Sequence, residues 1–373
     1  MVRSKLLILS VFCIMFFAQS CVHGDLDDCP PMVRYAVAFK YTSHTETRDR
    51  FYDDVKKINL YVFDENNLVY TTTTELSPYD ENFNIPLDLP MGKYHIVAWG
   101  NVLEDQPFSV APNNFVKGET TLAEARLILE KTKMDVDGAY INDTKLEKLF
   151  WSEIENDTIP LYVNRIDTMS LINNTENFRI VLHWDHSNVN MDEIADHSKV
   201  VVRLQGSNSR YSFRGGRVPE SVNYAPYNTY LSDHTTDSVL TADTREWLKI
   251  NYYSNDFDEI SKSTVYDFSI LRLYKDIPLY LVVEYWEPTD DGKYIKNEVA
   301  KVDLVSQTSG FQYLFANRGI AEAQWQSTFD INELYRVDMH IIQGSKYFDS
   351  FATGTIKIKD WWKIDVEGGG GAD

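Results

Sequence analysis

Apolar and polar residues alternate with a period of two along most of this chain, which is the spacing of β-strands. The stretch Ile85–Asn101 shows it best. Ile85, Leu87 and Leu89 alternate with Pro86 and Asp88. Pro90-Met91-Gly92 then supplies turn chemistry, since proline fixes φ and glycine tolerates a positive φ. Beyond the turn, Tyr94, Ile96, Ala98 and Gly100 share one face, and His95, Val97 and Trp99 the other. With apolar residues on both faces, this second strand is expected to be covered on both sides. The stretch reads as a hairpin at the heart of a β-sandwich.

Other segments arrange themselves around it. Val33–Tyr41, Val55–Phe63 and Leu68–Glu75 alternate, the last two joined by a turn at Asp64–Asn67. Ser43–Asp54 is polar, with Arg48 and Arg50 among acids, and reads as an exposed loop. Asp105–Pro112 reads as a loop, and Thr121–Lys131, with Leu122, Ala125 and Leu129, as a short helix. Leu146–Trp151 and Ile159–Ile172 complete a first domain, and Asn173–Thr175 forms the junction. A second series follows: Phe178–Trp184, Lys199–Leu204, Phe268–Leu273, Leu279–Trp286, Asn297–Leu304, Leu334–Gln343 and Gly354–Ile364. Residues 206–260 are polar, and long decorated loops with short strands near Val239 and Trp247 are expected there.

The 373 residues exceed one ordinary core. The pattern predicts an all-β chain of two tandem β-sandwiches, residues 32–173 and 174–366, followed by a flexible tail at 367–373. Both halves follow one order: an opening alternating strand, a polar loop, paired strands and a closing strand. No repeat of fixed period accompanies it.

The first 20 residues are of another kind. Arg3 and Lys5 precede an apolar run from Leu6 to Ala18, which is short for a membrane span and suited to a signal peptide. Ala18 and Ser20 then lead into Cys21. That arrangement resembles a bacterial lipobox, with Ala18 where leucine is commonest, and implies cleavage at residue 20 and acyl chains on Cys21. Residues 21–31 become an acidic tether. In lipoproteins of the Bacteroidota type, such acids are associated with display on the outer face of the outer membrane. Cys13 leaves with the signal and Cys21 is acylated, so Cys29 stands alone and no intramolecular disulfide is available.

Charge and motifs narrow the function. A net charge of −20 without a basic patch argues against nucleic acid as a partner. The chain has no glycine-rich phosphate loop, nucleophile elbow or zinc-finger spacing, so neither catalysis nor a cofactor is expected. His183 and His186 would point to opposite faces of a strand, which favours a structural role over metal binding. Asp64–Asn67 and Asp290–Gly292 lack full calcium-loop spacing and read as turns. Tyr224, Tyr227 and Tyr230 form an aromatic cluster that could contact a sugar or a protein, although tyrosines covering the end of a sandwich are the plainer account.

Four features together resemble the FimB-type fimbrial anchor lipoproteins of type V pili. They are Leu26-Asp-Asp-Cys-Pro30 after the lipid site, Val55–Asp64 with its following strand, Leu89–Tyr94 running into Val97–Gly100, and the tryptophan-rich end of Thr355–Asp365. The resemblance implies two transthyretin-like sandwiches and a structural role. It implies a lipid-anchored, surface-exposed protein of the outer membrane that holds fimbrial pilin (stalk) subunits at the base of a fimbrium. Related stalk subunits lose their first strand to an Arg-specific protease, and a partner's strand fills the groove. An anchor that keeps its first strand, here Val33–Tyr41, would have no open groove and could limit fibre length. Two other readings are a surface glycan-binding lipoprotein using the tyrosine cluster, and a tip or accessory adhesin of the same pilus.

Overall fold

The computed structural model describes residues 35–65, 67–75, 82–134, 140–159, 164–184, 200–232, 263–308, 310–341 and 352–358. The chain begins with β1 (Tyr35–Lys40), α1 (Phe51–Asp54), β2 (Lys57–Phe63), β3 (Leu68–Glu75), β4 (Asn84–Pro86) and β5 (Gly92–Gly100). An excursion follows: β6 (Phe108–Ala111), β7 (Arg126–Leu129), β8 (Lys133–Met134) and β9 (Tyr140–Asn142). The chain then returns through β10 (Phe150–Ile159), β11 (Arg165–Ser170) and β12 (Ile172–Asn173). Next come β13 (Thr175–Trp184), β14 (Val200–Gly206), β15 (Arg210–Ser212), β16 (Arg217–Val218), β17 (Val222–Tyr224) and β18 (Asn228–Ser232). Last are β19 (Ser263–Leu271), β20 (Tyr280–Pro288), β21 (Tyr294–Asp303), α2 (Phe311–Asn317), α3 (Trp325–Ile331), β22 (Leu334–Ile341) and β23 (Ala352–Ile358).

The all-β prediction holds. In the first half, the sheet β11-β1-β4 lies over β12-β10-β5-β2-β3. Alternation fills the space between them: Tyr35, Val37 and Phe39 of β1 share one core with Ile58, Leu60 and Val62 of β2 and Tyr94, Ile96 and Ala98 of β5. The opposite face of β2 and β5 is also covered. Trp99 is fully buried, with its ring 5.9 Å from Tyr211 and 6.0 Å from Phe213.

Ile85–Asn101 is not a hairpin. β4 pairs with β1, whereas β5 lies between β2 and β10 in the other sheet. Pro86 has no N–H to continue a ladder, and β4 ends there. Leu87 and Leu89 are drawn into the core, so the segment crosses from sheet to sheet. Gly92 opens β5 and is not among the glycines with positive φ; the phenol of Tyr94 folds over it and donates to Pro90 O at 2.9 Å.

The excursion also departs from expectation. Asp105–Pro112 contains β6, and Thr121–Lys131 forms a single turn followed by strand β7. The helical signal is real but local: Thr121 and Glu124 cap each other through N–H bonds of 3.0 and 3.3 Å. Leu127 and Leu129 are then buried at strand spacing, with β7 between β6 and β15. β6 and β7 join β15 and β16 in one sheet, and β8 and β9 extend the sheet β21-β20-β14-β17. Strands from before and after residue 173 therefore share two sheets.

The second half places β18-β19-β13-β22-β23 against that six-stranded sheet. Phe178, Ile180 and Leu182 belong to the same core as Val202, Leu204, Leu281 and Val283. Two helices absent from the sequence reading close it: Phe311, Leu314 and Phe315 of α2 are buried, and Phe311 lies 6.0 Å from Phe178. In the junction, Asn173, Asn174 and Thr175 are all buried; Asn174 N donates to Leu149 O at 2.6 Å, and its carbonyl accepts from Arg272 N. Within residues 206–260, the stretch up to 232 carries β15–β18, and Val239 and Trp247 lie outside the described residues. Cys21, Cys29, His186, Trp361, Trp362 and the C-terminal glycines also lie outside them.

Candidate functional site: a first strand held at both ends

The sequence YAVAFK of β1 puts Tyr35, Val37 and Phe39 into the core. The strand occupies the middle of its sheet. It runs parallel to β11 from Tyr35↔Arg165 to Lys40↔Ser170 and antiparallel to β4 from Ala36↔Pro86 to Ala38↔Asn84. Bonds from Leu87 N to Tyr35 O and from Leu171 N to Lys40 O, both 2.8 Å, extend the two ladders.

Side chains secure each end. At the start, the Tyr35 hydroxyl donates to Asp167 at 2.8 Å and Asp157 at 3.1 Å. Arg165 donates to the same carboxylates, at 2.7 Å to Asp167 and 3.0 Å to Asp157. Burial and the two acids push the Tyr35 phenol far above its ordinary value, so it remains a donor. Burial would raise Asp167, but hydrogen bonds from Arg165 and Tyr35 outweigh it and hold the carboxyl below its ordinary value.

At the far end, the Tyr41 hydroxyl donates to Glu333 at 2.6 Å. Glu333 directly precedes β22, so this bond joins the first strand to the second half of the chain. Lys148 donates to Glu333 at 2.6 Å and to Asp54 at 2.8 Å, and Arg50 reaches Asp54 at 2.8 Å. Burial, followed by the Glu333 charge, pushes the Tyr41 phenol far up.

The segment after β1 is folded back on it. Asp49 accepts from Tyr41 N at 2.8 Å and from Phe51 N at 2.9 Å. Arg50 N donates to Tyr41 O at 2.9 Å, and Arg50 O accepts from Asp53 N and Asp54 N at 3.1 and 3.0 Å. Arg48 is exposed, as the loop reading expects, and pairs with Glu46 and Asp53. Arg50 departs from that reading: its side chain is only 24% exposed, and Phe51 beside it is fully buried in α1. The peptide bond following Arg50 therefore sits inside a hydrogen-bonded turn rather than an extended strand, whereas the one following Arg48 lies in an exposed bend.

The tyrosine cluster is divided among three settings. Tyr224 is fully buried, and its hydroxyl oxygen accepts from Leu271 N at 3.2 Å. Tyr230 is half-buried against Val181 and Val265. Tyr227 is half-buried, with its N–H on Asp267 O at 2.9 Å and Lys145 Nζ 5.9 Å from its ring centre. Asp64 closes its turn by accepting from Asn67 N at 2.8 Å, and Thr289 N on Lys293 O closes the turn at Asp290–Gly292. Among the described residues, no group of three or more His, Cys, Asp or Glu side chains is placed to hold a metal. No described helix is long and apolar enough to cross a membrane. Sequence reasoning missed Asp157, Arg165 and Glu333, because partners 122, 130 and 292 residues from Tyr35 or Tyr41 leave no local pattern.

Comparisons with known proteins fit this architecture. A search of curated proteins finds no match. Among solved structures, the chain is similar to the fimbrial anchor protein Mfa2 from Porphyromonas gingivalis, with 17% identity and a TM-score of 0.56 over 89% of this chain and 98% of that one. It is also similar to two proteins from Bacteroides thetaiotaomicron. One, described provisionally as polysaccharide-binding, has 19% identity and a TM-score of 0.61 over 89% and 98% of the two chains. The other, described provisionally as an adhesin, has 22% identity and a TM-score of 0.60 over 89% and 97%. These likenesses establish the fold. The profile of one family spans residues 26–367, and on that match the chain belongs to the fimbrillin-A associated anchor proteins Mfa1 and Mfa2.

Proposed function

We propose that this protein anchors the base of a fimbrium at the outer membrane and ends strand exchange there. Family membership supports the anchor role. Acyl chains on Cys21 would hold it in the membrane, with residues 21–31 as tether and, as the body, two sandwiches of residues 32–173 and 174–366 that share two sheets through the strands of 108–142. Its partners are fimbrial pilin subunits, and its role is structural rather than catalytic.

The observation that carries the proposal is the position of β1: central in its sheet, paired on both sides and held at both ends. Strand addition works by offering main-chain hydrogen bonds and alternate pockets to an incoming segment. Here the chain's own residues occupy that place, and Arg50, beside buried Phe51, is folded into a turn that resists nicking better than an exposed loop tip does. A subunit of this kind joins a fibre without opening a groove for the next one, which limits fibre length.

The test is a Cys21→Ala strain, with fimbrial protein quantified on cells and in the medium. Stable attachment takes two membrane signals, and loss of the acylated residue removes them all. Fimbriae shed into the medium are the expected result. Release of this protein alone, with fimbriae still on the cells, would overturn the anchor role. N-terminal sequencing of the mature protein tests the closure: a chain beginning at Asp49 or Phe51 would show that β1 is removed.

A further inference from the structure

We propose that a cleft between the two halves of the molecule binds a neutral saccharide, stacked on Tyr227. The cleft encloses about 320 Å³, within the range of small-molecule sites. One wall is the loop after β1, carrying Thr45, Glu46 and Arg50. The facing wall comes from the second half, with Asn177, Tyr227 and Glu333. This inference is independent of the anchor role.

The lining selects the ligand class. Tyr227 lines the cleft, is half-buried, and has its backbone N–H held by Asp267 O, with Lys145 Nζ over its ring at 5.9 Å. A pyranose has one face of C–H groups that suits such a ring, and a rim of hydroxyls that needs polar partners. Those partners are present. The Asn177 carbonyl already accepts from Ser269 at 2.6 Å, which orients its NH₂ as the remaining donor. Thr45 is exposed and offers a hydroxyl.

The charges in the cleft are largely matched before any ligand arrives. Glu46 is paired with Arg48 and Arg50, Glu333 with Lys148, and Arg50 also with Asp54. Matched carboxylates still accept from hydroxyls but do not demand a counter-ion. Lys145 lies by the Tyr227 ring, with no carboxylate partner among the described residues. A single lysine in a chain of net charge −20 is a weak basis for capturing a polyanion. Neutral sugars fit this balance best.

Because each half supplies one wall, a bound ligand bridges them and favours the folded, docked state. The experiment is saturation-transfer NMR on the full-length protein with methyl α-D-mannoside, methyl β-D-galactoside, N-acetylglucosamine and, as the charged comparison, D-glucuronate. At least one neutral probe is expected to bind, with Kd on the order of 1 mM, and to raise Tm. Tyr227→Ala should weaken binding roughly tenfold or more, equivalent to about 1.4 kcal/mol. Tyr227→Phe, which keeps the ring, should retain most of it and guards against a folding defect, and Tyr313→Ala, at an exposed position of α2, should change nothing. Three results would overturn the proposal: no neutral probe bound at about 10 mM, tenfold above that Kd; binding unchanged by Tyr227→Ala; or binding confined to glucuronate.

Discussion

β1 and β13 open the two halves of this molecule in the same way, and each runs parallel to a late strand of its own half, β11 and β22. They are held very differently. β13 pairs along nine residues with β19 and along eight with β22. β1 pairs along six with β11 and only three with β4. The long ladder of β13 carries side-chain bonds as well, from Arg179 to Asp267 at 2.7 and 3.1 Å and from Ser269 to Asn177 at 2.6 Å. The short ladder of β1 is supplemented by side chains at its ends, Tyr35 on Asp157 and Asp167, and Tyr41 on Glu333. With the shorter ladders, β1 leans more on its end bonds. With the longer ones, β13 leans more on its length.

The largest expected effect tests this contrast in the cores. Phe178 of β13 is buried and stacks on Tyr335 at 5.0 Å, with Phe311 at 6.0 Å. Phe178→Ala should cost about 3–5 kcal/mol, as expected for deleting a buried aromatic ring. Val37→Ala in β1 removes two methyl groups from a buried site and should cost about 2 kcal/mol. Urea unfolding followed by tyrosine and tryptophan fluorescence measures both. Equal losses would mean that β1 is as deeply integrated as β13.

The next effect isolates the end bonds. Tyr41→Phe removes the donor to Glu333 and keeps the ring against Phe150 at 4.8 Å. A hydrogen bond to a charged group contributes about 1.5–3 kcal/mol. The loss should appear locally, as faster tryptic cleavage after Arg48 and Arg50, because proteolysis follows the population of the opened segment. Glu333→Gln should act in the same direction, since Lys148 and Tyr41 both lose a carboxylate. Unchanged cleavage in both variants would show that the ladders alone retain β1.

These contrasts explain what was legible beforehand. Strands such as β1, β2 and β13 were readable because apolar residues recur at every second position along a buried face, even where, as in β2, the other face is covered too. Pairing was less readable. Ile85–Gly100 contains two genuine strands and turn-forming residues, yet Leu87 and Leu89 prefer the core to a hairpin loop, and no local pattern encodes that preference. The brief helical signal at Thr121 gave way to Leu127 and Leu129 because a sheet lay waiting on both sides. α2 did carry a readable mark, with Phe311, Leu314 and Phe315 at helical spacing. The site was less legible than the fold. Tyr35 and Tyr41 could be placed on the first strand, but their partners are brought near only by the closed topology. The sequence grouped Tyr224, Tyr227 and Tyr230 as one aromatic cluster, but Tyr224 is core whereas Tyr227 and Tyr230 are half-buried.

The smallest effects concern pH, and here the two opening strands should respond in opposite senses. At β1, Asp167 is held below its ordinary value of 3.8 by Arg165 and Tyr35. Its contribution is fully present above the unfolded value and is lost as pH falls through the lower folded value. Arg165 is 40% exposed, so solvent screening limits the pair to about 1 kcal/mol or less. At β13, Glu176 is buried; one carboxylate oxygen accepts from Leu273 N at 2.9 Å and the other has no partner. Burial pushes this acid well above its ordinary value of 4.5. Its folded form prefers the proton, so its contribution is fully present below the unfolded value and is lost as pH rises towards the folded one. Glu176→Gln keeps an acceptor for Leu273 without the charge, and it should raise the urea midpoint at pH 7 relative to pH 4. Asp167→Asn should do the reverse, lowering the midpoint at pH 7 and converging with the parent protein as pH falls below 3.8 and through the lower folded value. If both variants shifted the midpoint equally at every pH, neither group would be titrating differently in the folded and unfolded chains, and the contrast between the two strands would rest on ladder length and end bonds alone.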